Sequence, residues 1–505
     1  MTEMKRRIVC FLTSICFLAG LQAQTPAGTA GLTAAIVVAD SMFADFARQN
    51  KVPGLIYGLM IDGRLVHTFS QGVTDVSKNL PVSSRSEFRI ASMTKSFTAL
   101  AVLKLRDEGK IRLDDPIGNY IPEMKGQKYL TADAAPVTIR NLLSHGAGFP
   151  EDNPWGDRQL AVSDADMLKM VSKGLSFSTS PGVAYEYSNL GFALLGHLIR
   201  AVTGESYEAY INKNILLPLG MTHTYWEYSK VPPAEFAHGY RWLNNNYVEQ
   251  PVLLSGAYGA MGGMITSMED FSKYMNLHIS AWPPSDEKDN GPVKRSSIRE
   301  MHHLWNINQL QPRFRYASGR ICPTIFGYGY GLRISQDCDN RIMIGHSGGL
   351  PGFGSDWKIL PDYGIGIVSF GNHTYTPCSA INAQVIDTLI ALAGLKPKPV
   401  AVSPILEKRK NELLKLLPDW NNAAGSGIFA ENFFLDYFPD SLRQEAQKIF
   451  TRAGKALRVR PMTALNNLRG SFVIEGEKKN IEVWFTLTPE AVPLIQEYRI
   501  RELDK

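Results

Sequence analysis

The chain has 505 residues, 44% of them hydrophobic and 20% charged, with a formal net charge of +5. That length exceeds what one hydrophobic core usually supports, so two or more domains are expected. The charge excess is small and accompanies no basic run, zinc-finger spacing or RNA-binding motif, which argues against nucleic acid as a partner.

In chain order, the first feature is MTEMKRRIVCFLTSICFLAGLQAQ. Lys5, Arg6 and Arg7 precede an apolar stretch from Ile8 to Leu21, and small or polar residues follow at Gln22-Ala23-Gln24. This is the pattern of a secretory signal peptide over residues 1–23, cleaved after Ala23, with a periplasmic or secreted product. The apolar stretch is about 14 residues, short of the roughly 20 that span a bilayer. No transmembrane anchor is therefore expected after cleavage. Cys322, Cys338 and Cys378 remain in a compartment that permits disulfides. FGYGYGLRIS between the first two reads as one strand, which would hold them apart, so no bridge is expected there.

GLIYGLMIDGRLVHTFSQG (54–72) alternates about Asp62-Gly63, a hairpin signal. Residues 92–109 read as a helix ending at Gly109, and Ala-, Leu- and polar-rich stretches, separated by loops rich in Pro, Asp and Gly, dominate to about residue 230. Strand signals return at 327–336, 340–346 and 356–370. ALAGLKPKPVAVSP (391–404) is rich in Pro and Lys and reads as a linker. The layout is then a main domain over 30–395, a linker at 396–404 and a small α+β accessory domain over 405–505. In the last, GSFVIEGEKKNIEVWFTL forms a hairpin turning at Lys478-Lys479-Asn480.

Chemistry enters with IASMTKSFTAL (90–100), where Ser92 stands three positions ahead of Lys95. Further copies of that spacing at Ser285/Lys288 and Ser355/Lys358 show that it decides nothing by itself. Its context does more. FTALAVLKL (97–105) is apolar nearly all round and should be buried on most sides. Ser92 falls at the helix start, where a free N–H can meet an oxyanion. Lys95 lies about one turn on, and partial burial would lower its proton affinity enough for a base. The plain alternative is a capping serine with a solvated lysine, but the head of a buried helix solvates a lysine poorly.

Ser347 in GHSGG fits Gly-x-Ser-x-Gly and is the rival nucleophile. That elbow needs an acid and then a histidine later in the chain. Only His373 follows Ser347, and Asp356 and Asp362 between them are too close in sequence. Its glycines suit a strand edge against which a substrate can lie. Tyr187-Ser188-Asn189 follows a Pro-Gly turn and heads an apolar helix, whereas Tyr210/Asn212 and Tyr274/Asn276 read as helix interiors.

Ser-x-x-Lys, then Tyr-Ser-Asn, then a glycine-flanked strand motif at 346: this order resembles the serine β-lactamase and penicillin-binding protein superfamily. The likeness is to the class C β-lactamase-related branch of D-aminopeptidases, D,D-peptidases and esterases. FRIASMTKSFTALAVLKLRDEGKIRLDDPIGNYIPE, VTIRNLLSHGAGFP, ILLPLGMTHTYW and GAMGGMITSMEDFSKYM resemble that branch's landmarks over roughly 35–395. The resemblance implies an α+β, β-lactamase/transpeptidase-like fold: an antiparallel sheet flanked by helices plus a helical subdomain. It implies Ser92 as nucleophile, Lys95 as its proton acceptor and Tyr187 as a second acid/base, in a phenolate-like contact in which Lys95 and Tyr187 lower each other's pKa. Asn189 would hold the substrate amide or orient Lys95, and the N–H groups of Ser92 and Gly349 would form the oxyanion hole. His346, Ser347 and Gly348 would form the facing wall.

No metal or cofactor is implied, and the partner is a small-molecule, peptide or ester substrate. Where β-lactamases carry Lys-Thr-Gly, this chain has His346-Ser347-Gly348. A histidine is mostly neutral at pH 7, which favours an ester or a D-amino-acid amide or peptide. The alternatives are a class C-type β-lactamase, a D,D-carboxypeptidase, or a non-catalytic penicillin-recognising binder. His145 reads as structural.

Overall fold

A computed structural model describes residues 27–505, with side chains from residue 31; the expected signal peptide lies outside the described residues. Among them no helix is long and apolar enough to cross a membrane. By compactness the chain divides after Lys396.

The alternation about Asp62-Gly63 folds into strands β1 (Gly54–Ile61) and β2 (Arg64–Asp75). Both turn residues take positive φ, +49° and +76°, the geometry that matches the twist of a tight hairpin. This hairpin belongs to an antiparallel nine-stranded sheet. Short β3 (Leu80–Pro81) flanks β2. On the other side of β1 come β12 (Ile365–Gly371), β11 (Phe353–Leu360), β10 (Ile342–Leu350), β9 (Arg333–Asp337), β8 (Thr324–Tyr328) and β7 (Asn306–Gln311). Helices α1 (Ala27–Gln49) and α5 (Cys378–Ala393) cover one face, burying Phe43, Tyr57, Leu59, Ile367 and Val385.

A larger core surrounds α2 (Thr94–Asp107), α3 (Asn189–Thr203) and α4 (Met268–Ile279). As its all-round apolar sequence demanded, α2 is buried from Thr94 to Leu103. A small three-stranded sheet of β4 (Phe88–Arg89), β5 (Thr224–Tyr225) and β6 (Ile265–Thr266) holds the segment leading into it.

Two sequence expectations fail here. Residues 326–335 are a hairpin, β8 returning as β9. The turn at Gly329–Gly331 reverses the chain, so the ends approach, and Cys322 and Cys338 are disulfide-bonded with Cα atoms 5.6 Å apart. Cys378 is free and buried. The apolar run 356–370 is likewise two strands, because Gly364 at φ +65° breaks it.

The second unit, Pro397–Lys505, carries α6 (Pro404–Leu414), α7 (Pro439–Ala453) and an antiparallel five-stranded sheet. Its strands are β13 (Ala456–Val459), β14 (Thr463–Asn466), β15 (Arg469–Gly476), β16 (Asn480–Leu487) and β17 (Ile495–Leu503). The turn at 477–479 joins β15 to β16, one residue ahead of the Lys478-Lys479-Asn480 turn expected, because Asn480 already pairs with Glu475.

Candidate active site

Ser92 precedes α2 in a single 3-10 turn, Ala91–Met93, rather than inside the helix. Ala91 takes φ +47°, left-handed for a residue with a Cβ, a conformation that costs of order 1–3 kcal/mol and persists only where its surroundings hold it. They do: Ile90 N–H donates to Met264 O (3.1 Å), and Ser355 Oγ donates to Ile90 O (2.9 Å). The first bond of the turn runs from Met93 N to Ile90 O (3.2 Å), so the Ser92 N–H precedes any intrahelical partner.

Lys95 is completely buried. Its Nζ lies 2.7 Å from Asn189 Oδ1, 3.0 Å from Met261 O and 3.0 Å from Ser92 Oγ. The first two atoms can only accept, so two N–H groups are committed to them. The third tetrahedral position of Nζ faces the Ser92 hydroxyl and holds a proton in the ammonium or a lone pair in the amine. Burial lowers the lysine pKa to about 7; Asp157 and Asp152 pull it back up, and Arg333 pushes it further down. The neutral amine is therefore accessible near neutral pH.

Tyr187 departs from expectation. The Lys95 ammonium sits over the face of its ring, 4.9 Å from the centroid, and burial raises the phenol well above its ordinary range, although Arg333 and the Ser92 hydroxyl pull it down. The mutual depression of the two groups does not occur, because desolvation penalises the phenolate more than nearby cations favour it. Tyr187 stays protonated.

Asn189 is completely buried, and its Nδ2 donates to Asn153 Oδ1 (2.7 Å). The Oδ1 contact orients Lys95, and the second N–H of Nδ2 is not engaged by either of these bonds. Asp152 fixes it in turn, accepting from the backbone N–H of Asn189 (2.7 Å) and Leu190 (2.9 Å) at the head of α3, where unpaired donors favour a carboxylate.

His346 is buried, and its ring pKa lies well below the ordinary value because of burial, Arg333 and Lys95. The neutral ring donates from Nδ1 to Ser347 O (2.6 Å), so its Nε2 accepts from Tyr328 OH (2.8 Å). The histidine thus serves the Ser347 carbonyl and not its hydroxyl. Gly348 is needed for contact, since a Cβ there would collide with Ile90 O and Ser355 Oγ. A Cβ on Gly349 would press on the Tyr375 ring at 2.8 Å. Pairing of β10 with β9 stops at Arg333↔Gly345. Residues 346–350 therefore pair only with β11 and leave one edge open.

Several contributors were not read from the sequence. Arg333 is exposed, stands 5.4 Å from the Tyr187 ring centroid and has no ion-pair partner among the described residues. With Tyr185, Phe314, Ser347 and Lys358 it lines a cavity of about 530 Å3. His145, at φ +56°, accepts from Ser188 N–H (3.2 Å) through Nδ1, and its ring packs 4.3 Å from that of Tyr187. His145, read from the sequence only as structural, thus contacts both Tyr187 and Ser188 of the Tyr-Ser-Asn loop. Asp157 is buried beside the site, accepts from Tyr375 OH (3.1 Å), and has a carboxyl raised by burial despite the pull of Lys95.

An antiparallel sheet flanked by helices, with a buried Ser-Lys pair beside its open strand edge, defines the class, and comparison with known proteins agrees. The beta-lactamase family model matches residues 39–389, and the chain belongs to that family, within the superfamily of β-lactamase-fold serine hydrolases. It is 27% identical over 355 residues to Protein flp of Staphylococcus aureus (strain COL), covering 69% of this chain and 66% of that protein. It is 30% identical over 295 residues to Beta-lactamase-like protein 2 of Dictyostelium discoideum, covering 55% of this chain and 53% of the other. The chain thus spans just under two thirds, or about half, of these relatives' own lengths. Among solved structures it resembles the octameric penicillin-binding protein homologue from Pyrococcus abyssi. The TM-score is 0.59 at 23% identity, over 93% of this chain and 96% of that one; at that identity the likeness concerns the fold.

Proposed function

We propose that this chain is an exported, cofactor-independent serine hydrolase that works through an acyl-enzyme on Ser92. The observation that carries the proposal is the contact set of Lys95. Two acceptors hold its N–H groups, and its remaining position faces Ser92 Oγ at 3.0 Å, the geometry a general base requires. In the amine form the Ser92 hydroxyl donates to Nζ, and attack on an acyl carbon passes that proton to Lys95. The oxyanion that forms accepts from the N–H groups of Ser92 and Gly349. Tyr187 donates its phenolic proton to the departing amine or alcohol, and the Lys95 ammonium makes that proton good. Water then attacks the acyl-enzyme by the reverse route.

The substrate class is an ester or a D-amino-acid amide or peptide, laid along the open edge of residues 346–350. Neutral His346 supplies no charge there, but Arg333 stands unpaired at the same opening. We therefore extend the reading to substrates that carry a free carboxylate near the scissile bond, which a guanidinium binds in bidentate fashion.

A fluorophosphonate probe tests the chemistry: it should label the wild type and leave Ser92→Ala unlabelled. Labelling that survives that change would refute Ser92 and point to Ser347. A p-nitrophenyl ester, a D-alanyl amide and nitrocefin, compared on one preparation, rank the substrates. The first two should be turned over well above the third.

A further inference from the structure

Three chain segments meet beside the small sheet that leads into the nucleophile turn. Glu87 immediately precedes β4, His223 immediately precedes β5, and Glu235 lies in the segment that runs alongside residue 87. The backbone fixes them: Glu87 N–H donates to Glu235 O (2.7 Å), and Ala237 N–H donates to Glu87 O (3.0 Å). Asp270 accepts from the His223 N–H (2.6 Å) and from Thr224 Oγ1 (3.0 Å).

The side chains are left unsatisfied. Glu87 is completely buried, and neither carboxylate oxygen has a hydrogen-bond partner. His223 Nδ1 and Glu235 Oε2 are also buried and without a hydrogen-bond partner. Native proteins rarely tolerate such groups, and a buried carboxylate least of all.

One ligand atom from each residue lies within 4.8 Å of the others. His223 Nδ1 is 3.9 Å from Glu87 Oε1 and 3.9 Å from Glu235 Oε2. These gaps are too long for hydrogen bonds, yet close to the ~3.4 Å between two ligands on a tetrahedral ion with bonds of about 2.1 Å.

We propose that Glu87, His223 and Glu235 form a binding site for a divalent cation of the zinc class. One imidazole nitrogen with two carboxylate oxygens is a borderline donor set that suits zinc, and water supplies the fourth ligand. The His223 side chain is 45% exposed while its Nδ1 faces inward, so solvent reaches the site. Arg85 Nε faces the carboxylate's other oxygen, Glu235 Oε1, at 3.6 Å. Lys273 neutralises Asp270 (2.7 Å), which leaves the Glu87 and Glu235 pair in excess over Arg85. The ion would be structural. It ties three distant segments at a point five residues ahead of Ser92, and the catalytic steps above run without it.

The test uses the full chain stripped with a chelator, then titrated with Zn2+ by calorimetry, with bound metal counted by mass spectrometry and melting followed in parallel. One zinc per chain and a higher melting temperature are expected. Glu87→Gln, which keeps shape, and His223→Ala, at a partly exposed position, should each weaken binding about tenfold or more and abolish the rise. Their circular dichroism should match the wild type. Zinc bound equally well by both variants would be an adventitious ion only and overturns the site, as does a stripped wild type that takes up none. Preference for Ca2+ or Mg2+ over Zn2+ overturns the choice of ion.

Discussion

The two units bury polar groups for different ends. In the second, the core is apolar: Leu406, Trp420, Phe433, Phe472, Val483 and Phe485 fill it. Its buried charges are paired, Arg409 with Glu412 (2.6 Å) and Lys410 with Glu407 (2.9 Å). In the first, Ser92, Lys95, Asn189, His145, His346 and Asp157 are all buried in one neighbourhood. Burial there holds a lysine near neutrality and a tyrosine protonated, so desolvation that only costs stability elsewhere sets proton affinities here. In residues 397–505 the perturbed groups are scattered instead: Glu475 is lowered by its surface arginines, Arg458 and Arg460, while burial raises Tyr498 within the core.

If this contrast holds, substitutions in the two units separate cleanly. Ser92→Ala and Lys95→Ala should each lower kcat by about 10^4-fold or more in an ester assay, with the melting curve of the fold retained. Tyr187→Phe should cost about 10^2- to 10^3-fold, most on substrates with poor leaving groups, since those need its proton; equal loss on good leaving groups would remove it as the acid.

The pH profile sharpens the comparison further. Below about 7 Lys95 holds its proton and cannot take that of Ser92, so kcat/KM should rise with pH through a midpoint near that value. Asp157 stabilises the protonated lysine, so Asp157→Asn should move the midpoint down. An upward move would contradict the charge balance drawn here. Arg333→Ala should raise KM about tenfold, as loss of one charged hydrogen bond implies, for a substrate with a free carboxylate and hardly at all for a neutral ester. At the far end, Phe485→Ala should destabilise the second unit by about 3 kcal/mol, seen in denaturant, while kcat/KM on a small ester stays unchanged. A large fall in turnover would tie that unit to catalysis.

Much of this was legible in the chain because local pattern carries it. The Asp62-Gly63 turn, the buried helix after Ser92 and the 477–479 turn each follow from side-chain alternation, helical period or turn chemistry. What misled was also local. Repeated glycine and aromatic residues at 326–335 read as one strand, and only the reversal at Gly329–Gly331 showed why Cys322 can reach Cys338. Asn189 stood in the right motif, but only the fold shows that its Oδ1 accepts from Lys95. Arg333 and Asp152 carry no motif, and each enters the site by position alone.

By itself, then, the sequence determined the family, the order of its motifs and the pairing of Ser92 with Lys95, since residues three apart on a helix share a face whatever surrounds them. Tertiary structure decided the proton affinities. The depth at which Lys95 and Tyr187 lie, the charge of Arg333 beside them and the acceptors that hold Nζ come from segments up to 238 residues apart (Lys95 to Arg333), and desolvation is a property of the assembled fold.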